Sequence, residues 1–296
     1  MMAWHDSILI TGGRGMLANA FRHLFETKGI NAVFYSRDEW DIASAAEATD
    51  IRNEAVFANR RPTLLINCAA YTKVDLAEKE PEAAIAVNGH APRMLADLCR
   101  RFGTTLIHFS TDYVFDGSSR RPWHVDDPVN PQSAYGRSKL LGEQSIQQNP
   151  PHRWLILRTA WLYGPGGPNF VQTMLNVARA GKPLKVVNDQ VGSPTYTHDL
   201  AAATLDLLDR GAHGVYHVTN SGQTTWFDFA SAIFEQWGLN PDLKPTTSSE
   251  WKATKPDSAT RPAYSVLDLT PVEDLLARPM RSWRDALRAY HDQHGK

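Results

Sequence analysis

Cysteine is scarce in this 296-residue chain, which carries only Cys68 and Cys99. Two such residues make neither a metal framework nor a disulfide scaffold. Both fall in apolar stretches, where buried, reduced thiols are expected. The 11 histidines are scattered without an H-E-x-x-H spacing, so no catalytic metal is expected. No apolar run reaches the roughly 18 residues that would read as a spanning helix. The opening stretch Met1-Met2-Ala3-Trp4-His5-Asp6 has no basic flank ahead of a long apolar segment, so no signal peptide is expected. Charge of one sign is also missing. Lys and Arg number 31 against 32 Asp and Glu, a net charge of −1. Nothing in that balance calls for nucleic acid or a membrane surface. There is no internal repeat and no low-complexity tract. The expectation is a cytoplasmic protein.

The hydrophobic content, 42%, is enough for a substantial core in one large or two moderate domains. Short apolar runs alternate with helical periodicity through the first half: Ser7–Thr11, Ala32–Tyr35, Leu64–Asn67 and Thr105–Phe109 read as strands. Such alternation implies an α/β fold with a Rossmann-like, doubly wound parallel sheet. The segment Thr72–Glu80 reads as loop, and one long helix is expected from about Pro81 to Phe102. Trp154–Arg158 and Gly214–Val218 read as later strands. Residues 1–160, completed by parts of 195–220, are therefore expected to form the Rossmann domain. Residues 161–296 are expected to be mainly a smaller, discontinuous substrate-binding lobe. Helices are expected there from Asn169-Phe170, near His198-Asp199, at about Trp226–Trp237 and from Trp283.

Directly between the first strand and first helix stands Gly12-Gly13-Arg14-Gly15-Met16-Leu17-Ala18. Glycines at that turn let backbone N–H groups approach a pyrophosphate at a helix N-terminus. The residues after the second strand choose between dinucleotides. An acid there holds a ribose 2′-hydroxyl, whereas a small residue with Arg accommodates a 2′-phosphate. Ser36-Arg37 points to NADPH, and the adjacent Asp38 leaves NADH open. Asp41-Ile42 either meets the adenine or starts the following Ala-rich helix as an N-cap. Small residues after Asn67 (Cys68, Ala69, Ala70) leave room for a ligand above the sheet.

Tyr135-Gly136-Arg137-Ser138-Lys139 opens a helix, and residues four apart share a helix face. A phenol near an ammonium is expected to have its pKa lowered toward the working pH, as an acid–base group requires. Thr111 follows the end of the fourth strand, where its hydroxyl would sit on the same sheet edge as the glycine turn.

These motifs, taken in order, resemble the extended short-chain dehydrogenases/reductases, and most nearly the dTDP-4-dehydrorhamnose reductase family. The resemblance runs from Ile8 to about Trp283. It is carried further by Asn67–Asp75, Ser110–Gly117, Arg158–Gly164, Asn169-Phe170, Asp189–Thr195 and Arg261-Pro262 with Ser265 and Leu267. It implies reduction of the 4-keto group of a nucleotide sugar. Tyr135 would be the proton donor, Lys139 its pKa-lowering partner on the cofactor ribose, and Thr111 the holder of the substrate oxygen. Gly12, Gly15, Met16 and Leu17 would line the pyrophosphate. Asp41, Ile42, Ala69, Ala70 and Tyr71 would contact the adenosine side and middle of the cofactor. Asp112 would bind the nucleotide sugar, and Trp161 would pack on its base. Arg261 is a candidate phosphate ligand, its guanidinium matching that group bidentately. The resemblance also admits a reductase of another 4-keto-6-deoxysugar nucleotide. A non-catalytic NADP-binding subunit like the methionine adenosyltransferase β subunit is a further alternative. A homodimer is left open.

Overall fold

A computed structural model describes residues 7–44 and 51–295. Met1–Asp6 and most of the Ala-rich stretch after Ile42 lie outside the described residues. In chain order the first elements are β1 (Ile8–Thr11), α1 (Met16–Lys28), β2 (Val33–Tyr35), α2 (Ile51–Arg60), β3 (Leu64–Asn67), α3 (Val74–Ala77) and α4 (Pro81–Ile85). A π-helical turn (Ala86–His90) leads into α5 (Ala91–Phe102), β4 (Thr105–Thr111), α6 (Ala134–Gln148) and β5 (Trp154–Thr159). Then come β6 (Leu162–Tyr163), α7 (Phe170–Arg179), β7 (Leu184–Val187), β8 (Val191–Gly192), β9 (Thr195–Tyr196), α8 (Thr197–Asp209) and β10 (Gly214–His217). The chain ends with β11 (Thr224–Thr225), α9 (Trp226–Gln236), β12 (Leu243–Thr246), α10 (Ser248–Thr254), α11 (Thr270–Leu276) and α12 (Trp283–His294).

Six parallel strands form one sheet in the order β10-β5-β4-β3-β1-β2. The order reverses between β1 and β3, the topology of a doubly wound sheet with a ligand crevice at its carboxyl edge. β1 and β3 are buried along their whole length. Apolar side chains therefore point both ways, as a sheet covered on both faces requires. On one face α1, α8 and α11 enclose Phe21, Phe25, Leu200, Leu207 and Val272. On the other, α2 and α5 enclose Trp40, Phe57, Leu95 and Leu98. A separate core gathers α7, α9, α12 and the short strands around Tyr163, Tyr196, Phe229 and Trp283.

Three expectations need correction. Thr72–Glu80 is not all loop, because Val74–Ala77 makes one turn of helix with Ala77 fully buried against α6. The helical rod Pro81–Phe102 is interrupted by the π-turn, where Asn88 and Gly89 are buried against α6. A Cβ on Gly142 of α6 would stand 2.1 Å from Asn88 O, so only glycine permits that approach. Finally, α10 and α11 lie in the stretch where no helix was expected. Both are short, and α10 buries no side chain, so neither carries a long apolar stripe to reveal it. Among the described residues, no helix is long and apolar enough to cross a membrane.

Candidate active site

The glycine turn forms the floor of one cleft. Gly12 adopts φ +66, and a Cβ there would lie 2.7 Å from Ala69 N. The backbone of β1's exit is thus pressed onto that of β3's exit, a conformation open to glycine alone. α1 begins at Gly15 with no side-chain cap and no acid in its first turn. Its N-terminal N–H groups and dipole are left for an anion. The cleft above holds about 470 Å³ and is lined by Gly12, Gly15, Ser36, Arg37, Asp41, Ile42, Ala69, Ala70 and Tyr71, as well as Arg14 and Asp38.

The Met16 and Leu17 side chains do not line it, which leaves their backbone N–H groups as the part that faces the turn. Leu17 is buried in the core below, and the Met16 side chain faces Gly167. Ser36 is also committed: its N–H and hydroxyl both donate to Glu39 Oε2, at 2.8 and 2.7 Å. Arg37 is paired with Asp41 at 3.1 Å, and Arg14 with Asp38 at 2.6 Å. Asp41 Oδ1 accepts from Ala43 N, closing a local turn; the Ala-rich stretch whose helix it was expected to start lies outside the described residues. Arg14 gives no signal of its own in the sequence, because it fills one of the unspecified positions of the G-x-x-G spacing. Tyr71 donates its phenol to Glu80 at 2.9 Å, and its backbone N–H and C=O are both held by the Asn88 amide.

β4 runs three residues beyond its register with β3 and delivers Thr111 above the sheet edge. Ser133 caps α6 through Gly136 N, which fixes the helix start one residue before Tyr135. Gly136 must be glycine, because a Cβ would meet Tyr113 O at 2.4 Å. The Thr111 hydroxyl stands near enough to the Tyr135 phenol to favour its ionised form. It also donates to Asp112 Oδ1 at 3.0 Å. Tyr113 stands edge-on to Tyr135, ring centroids 5.5 Å apart.

The ionisation states differ from the simple expectation. Burial pushes the Tyr135 phenol up to about 12, with the Thr111 hydrogen bond opposing and Asp112 reinforcing the rise. Lys139 is not among the groups that shift it. The ammonium donates instead to Phe109 O at 2.5 Å, and burial brings its pKa down to about 8 against the pull of Glu143. Burial likewise pushes the Asp112 carboxyl up to about 6, opposed by hydrogen bonds from Ser265 and Thr111.

A second cleft, of about 310 Å³, lies among Phe170, Val186, Gln190, Trp226, Trp251, Lys185 and Arg261. Trp161, held at φ +49, lies flat on Trp226 with ring centroids 3.6 Å apart. Arg261 donates to Asp75 at 2.9 Å, and the charges of both reach Tyr113. Trp226, Trp251 and Lys185 gave no signal in the sequence, because only the tertiary fold brings α9, α10 and β7 together. Asn169 caps α7 through Gln172 N, and Gln190 donates to Ser248; both amides have structural partners. Among the described residues, no cluster of His, Cys, Asp or Glu is arranged to hold a metal ion.

Comparison with known proteins gives a consistent result. The family model described as RmlD substrate binding domain matches residues 6–295. The chain is 41% identical to a dTDP-4-dehydrorhamnose reductase of Streptomyces griseus, over 94% of this chain and 91% of that one. A dTDP-4-dehydrorhamnose reductase structure from Clostridium acetobutylicum superposes with a TM-score of 0.90 at 37% identity, over 98% and 100% of the two chains. One from Bacillus anthracis, in complex with NADP, gives a TM-score of 0.89 at 33% identity, over 97% and 99%. The chain belongs to the RmlD family, that of the dTDP-4-dehydrorhamnose reductases.

Proposed function

We propose that this protein reduces the 4-keto group of dTDP-4-dehydro-L-rhamnose to give dTDP-L-rhamnose, with NADPH as reductant and NADH as an alternative. The observation that carries the reading is the grouping of Tyr135, Thr111 and Lys139 at one sheet edge in a chain of this family. The uncapped α1 N-terminus and the tight Gly12–Ala69 contact suit a dinucleotide pyrophosphate. Gly12, Gly15, Arg14, Arg37, Asp41, Ile42, Ala69, Ala70 and Tyr71 would hold the dinucleotide. The bound nicotinamide supplies the hydride.

The chain's own groups manage the proton. With its pKa near 12, Tyr135 is fully protonated at neutral pH and is a donor to the developing alkoxide. Thr111 orients the same oxygen. Lys139, one turn further along α6, would hydrogen-bond the nicotinamide ribose. General acid catalysis of this kind is worth roughly 100- to 10,000-fold. The second cleft, with its tryptophans and its two cations Lys185 and Arg261, suits a nucleoside diphosphate. Asp112, buried beside Thr111, would bind the sugar, and Trp161 would act through the Trp226 ring on which it lies. The Rossmann part would then comprise residues 1–160 with α8 and β10, and the substrate lobe most of the remainder.

The test is NADPH absorbance with dTDP-4-dehydro-L-rhamnose generated in situ. Oxidation that depends on the sugar supports the reading. NADPH binding without oxidation, across a panel of 4-keto-6-deoxysugar nucleotides, would sink it in favour of a regulatory subunit.

A further inference from the structure

Lys139 ends a file of buried polar side chains that crosses three strands beneath the site. Its Nζ lies 3.5 Å from His108 Nε2. His108 Nδ1 is 2.9 Å from the Asn67 amide, whose other terminal atom is 2.6 Å from the Thr11 hydroxyl. The strand register brings them together: Asn67 is the partner of Thr11 in β1 and of His108 in β4. All four residues are at most 2% exposed. Water is therefore a poor source of partners, and the groups must satisfy one another.

Burial, reinforced by the Lys139 charge, holds His108 well below the ordinary imidazole value, so its ring is neutral at pH 7. A neutral imidazole has one donor and one acceptor nitrogen, whereas an ammonium only donates. If the Asn67 NH2 faces Nδ1, the ring proton lies on Nε2 and meets the ammonium donor to donor. If the amide oxygen faces Nδ1–H, Nε2 accepts from Lys139 and the Asn67 NH2 donates to Thr11. Only the second gives the charged Lys139 an acceptor at Nε2; it turns the Asn67 amide over from the orientation in which Thr11 donates to Oδ1 and the NH2 faces Nδ1.

We propose that His108 is a positioning residue for Lys139: Asn67 and Thr11 hold its Nε2 lone pair toward Nζ, which fixes and stabilises the ammonium. The part Lys139 plays in the reaction rests on the function proposed above; the network itself does not. Few other charges face Lys139. Glu143 stands one turn along α6, neutralised by Arg158 of β5. Tyr135 shares the helix, and the turn after β4 presents Asp112 and Tyr113. The π-turn presents the neutral Asn88 to Ser138, and α3 is followed by Glu78, which binds Ala134 N.

The experiment is NMR titration of Lys139 in protein labelled with 13Cε-lysine, free of cofactor and sugar, with the signal assigned by Lys139→Gln. In the unmodified protein the midpoint is expected near 8. His108→Phe keeps a ring but offers no acceptor, and should lower the midpoint by about one unit, a tenfold change in proton affinity. His108→Gln, with an amide oxygen near the Nε2 position, should restore most of it. Asn67→Val leaves the ring unheld and should lower the midpoint by less. An unchanged midpoint in His108→Phe would overturn the proposal, as would equal falls in the Phe and Gln variants. Should His108→Phe not fold, unchanged midpoints in Asn67→Val would overturn it. The readout needs neither NADPH nor sugar, so a protein that titrates as expected yet reduces nothing would remove the proposed function and leave this network standing.

Discussion

Glu143 and Arg158 face each other across α6 and β5 as a two-pronged ion pair, with Arg158 Nε 3.0 Å from Oε1 and Nη2 2.8 Å from Oε2. The side chains are 1% and 6% exposed. The remaining guanidinium nitrogen donates to Val125 O, and the cation lies over the Phe115 ring. Helix α6 carries Tyr135 and Lys139, so this pair ties their helix to the sheet. Removing one partner strands a buried charge. Glu143→Ala should therefore lose about 3–5 kcal/mol of stability in urea unfolding. A loss under about 1 kcal/mol would mean that water reaches the pair and screens it.

The pH dependence follows from Lys139. Its pKa in the folded protein is brought down to about 8 because burial disfavours the ammonium. The charged form is populated below that value and lost above it. kcat/KM reports groups of the free enzyme. It should fall on the alkaline side with a midpoint near 8, while Tyr135 stays protonated throughout. A flat profile to pH 10 would show that the charge of Lys139 is not required.

Cofactor choice should turn on two arginines that the carboxylates Asp38 and Asp41 already hold at the cleft mouth. A 2′-phosphate would compete for Arg14 and Arg37, whereas a 2′-hydroxyl would need only the acids. The double variant Arg14→Ala, Arg37→Ala should weaken NADPH binding by about tenfold relative to NADH, the equivalent of 1.4 kcal/mol. Equal effects on both cofactors would make the arginines surface charges only.

Gly12 tests the cofactor floor. In Gly12→Ala the new methyl would stand 2.7 Å from Ala69 N at φ +66. The left-handed backbone alone disfavours a side chain by about 1–2 kcal/mol. Dinucleotide affinity, measured by calorimetry, should fall along with thermal stability. Gly29, also at positive φ but with open space around it, is the control; Gly29→Ala should lose stability and keep affinity.

Local patterns in the sequence revealed the parts of this fold that local patterns determine. The buried strands β1, β3, β4 and β5 are short apolar runs, and the glycine turn sits where β1 meets α1. That Tyr135, Lys139 and Thr111 would stand at one sheet edge was legible because spacing and resemblance agreed. The partners that fix their chemistry were not. Lys139 binds a carbonyl of β4 and a histidine 31 residues away, and no periodicity encodes that contact. The upward shift of Tyr135 was missed for the same reason: a four-residue spacing shows that two side chains share a face, but not how deeply they are buried. The second cleft draws on α7, β7, α9 and α10, and the stacking of Trp161 on Trp226 spans 65 positions of chain. The Leu17 side chain follows the helix face into the core, so a pyrophosphate contact there would be through the backbone N–H.

The most direct test of the proposed chemistry uses NADPH carrying deuterium at the transferable position, with dTDP-4-dehydro-L-rhamnose, in the unmodified protein and in Tyr135→Phe. The unmodified protein should yield dTDP-L-rhamnose with one deuterium on C4 of the sugar. Tyr135→Phe should bind NADPH normally and turn over about 100-fold or more slowly. Unlabelled sugar after NADPH oxidation, or near-normal turnover in Tyr135→Phe, would contradict it.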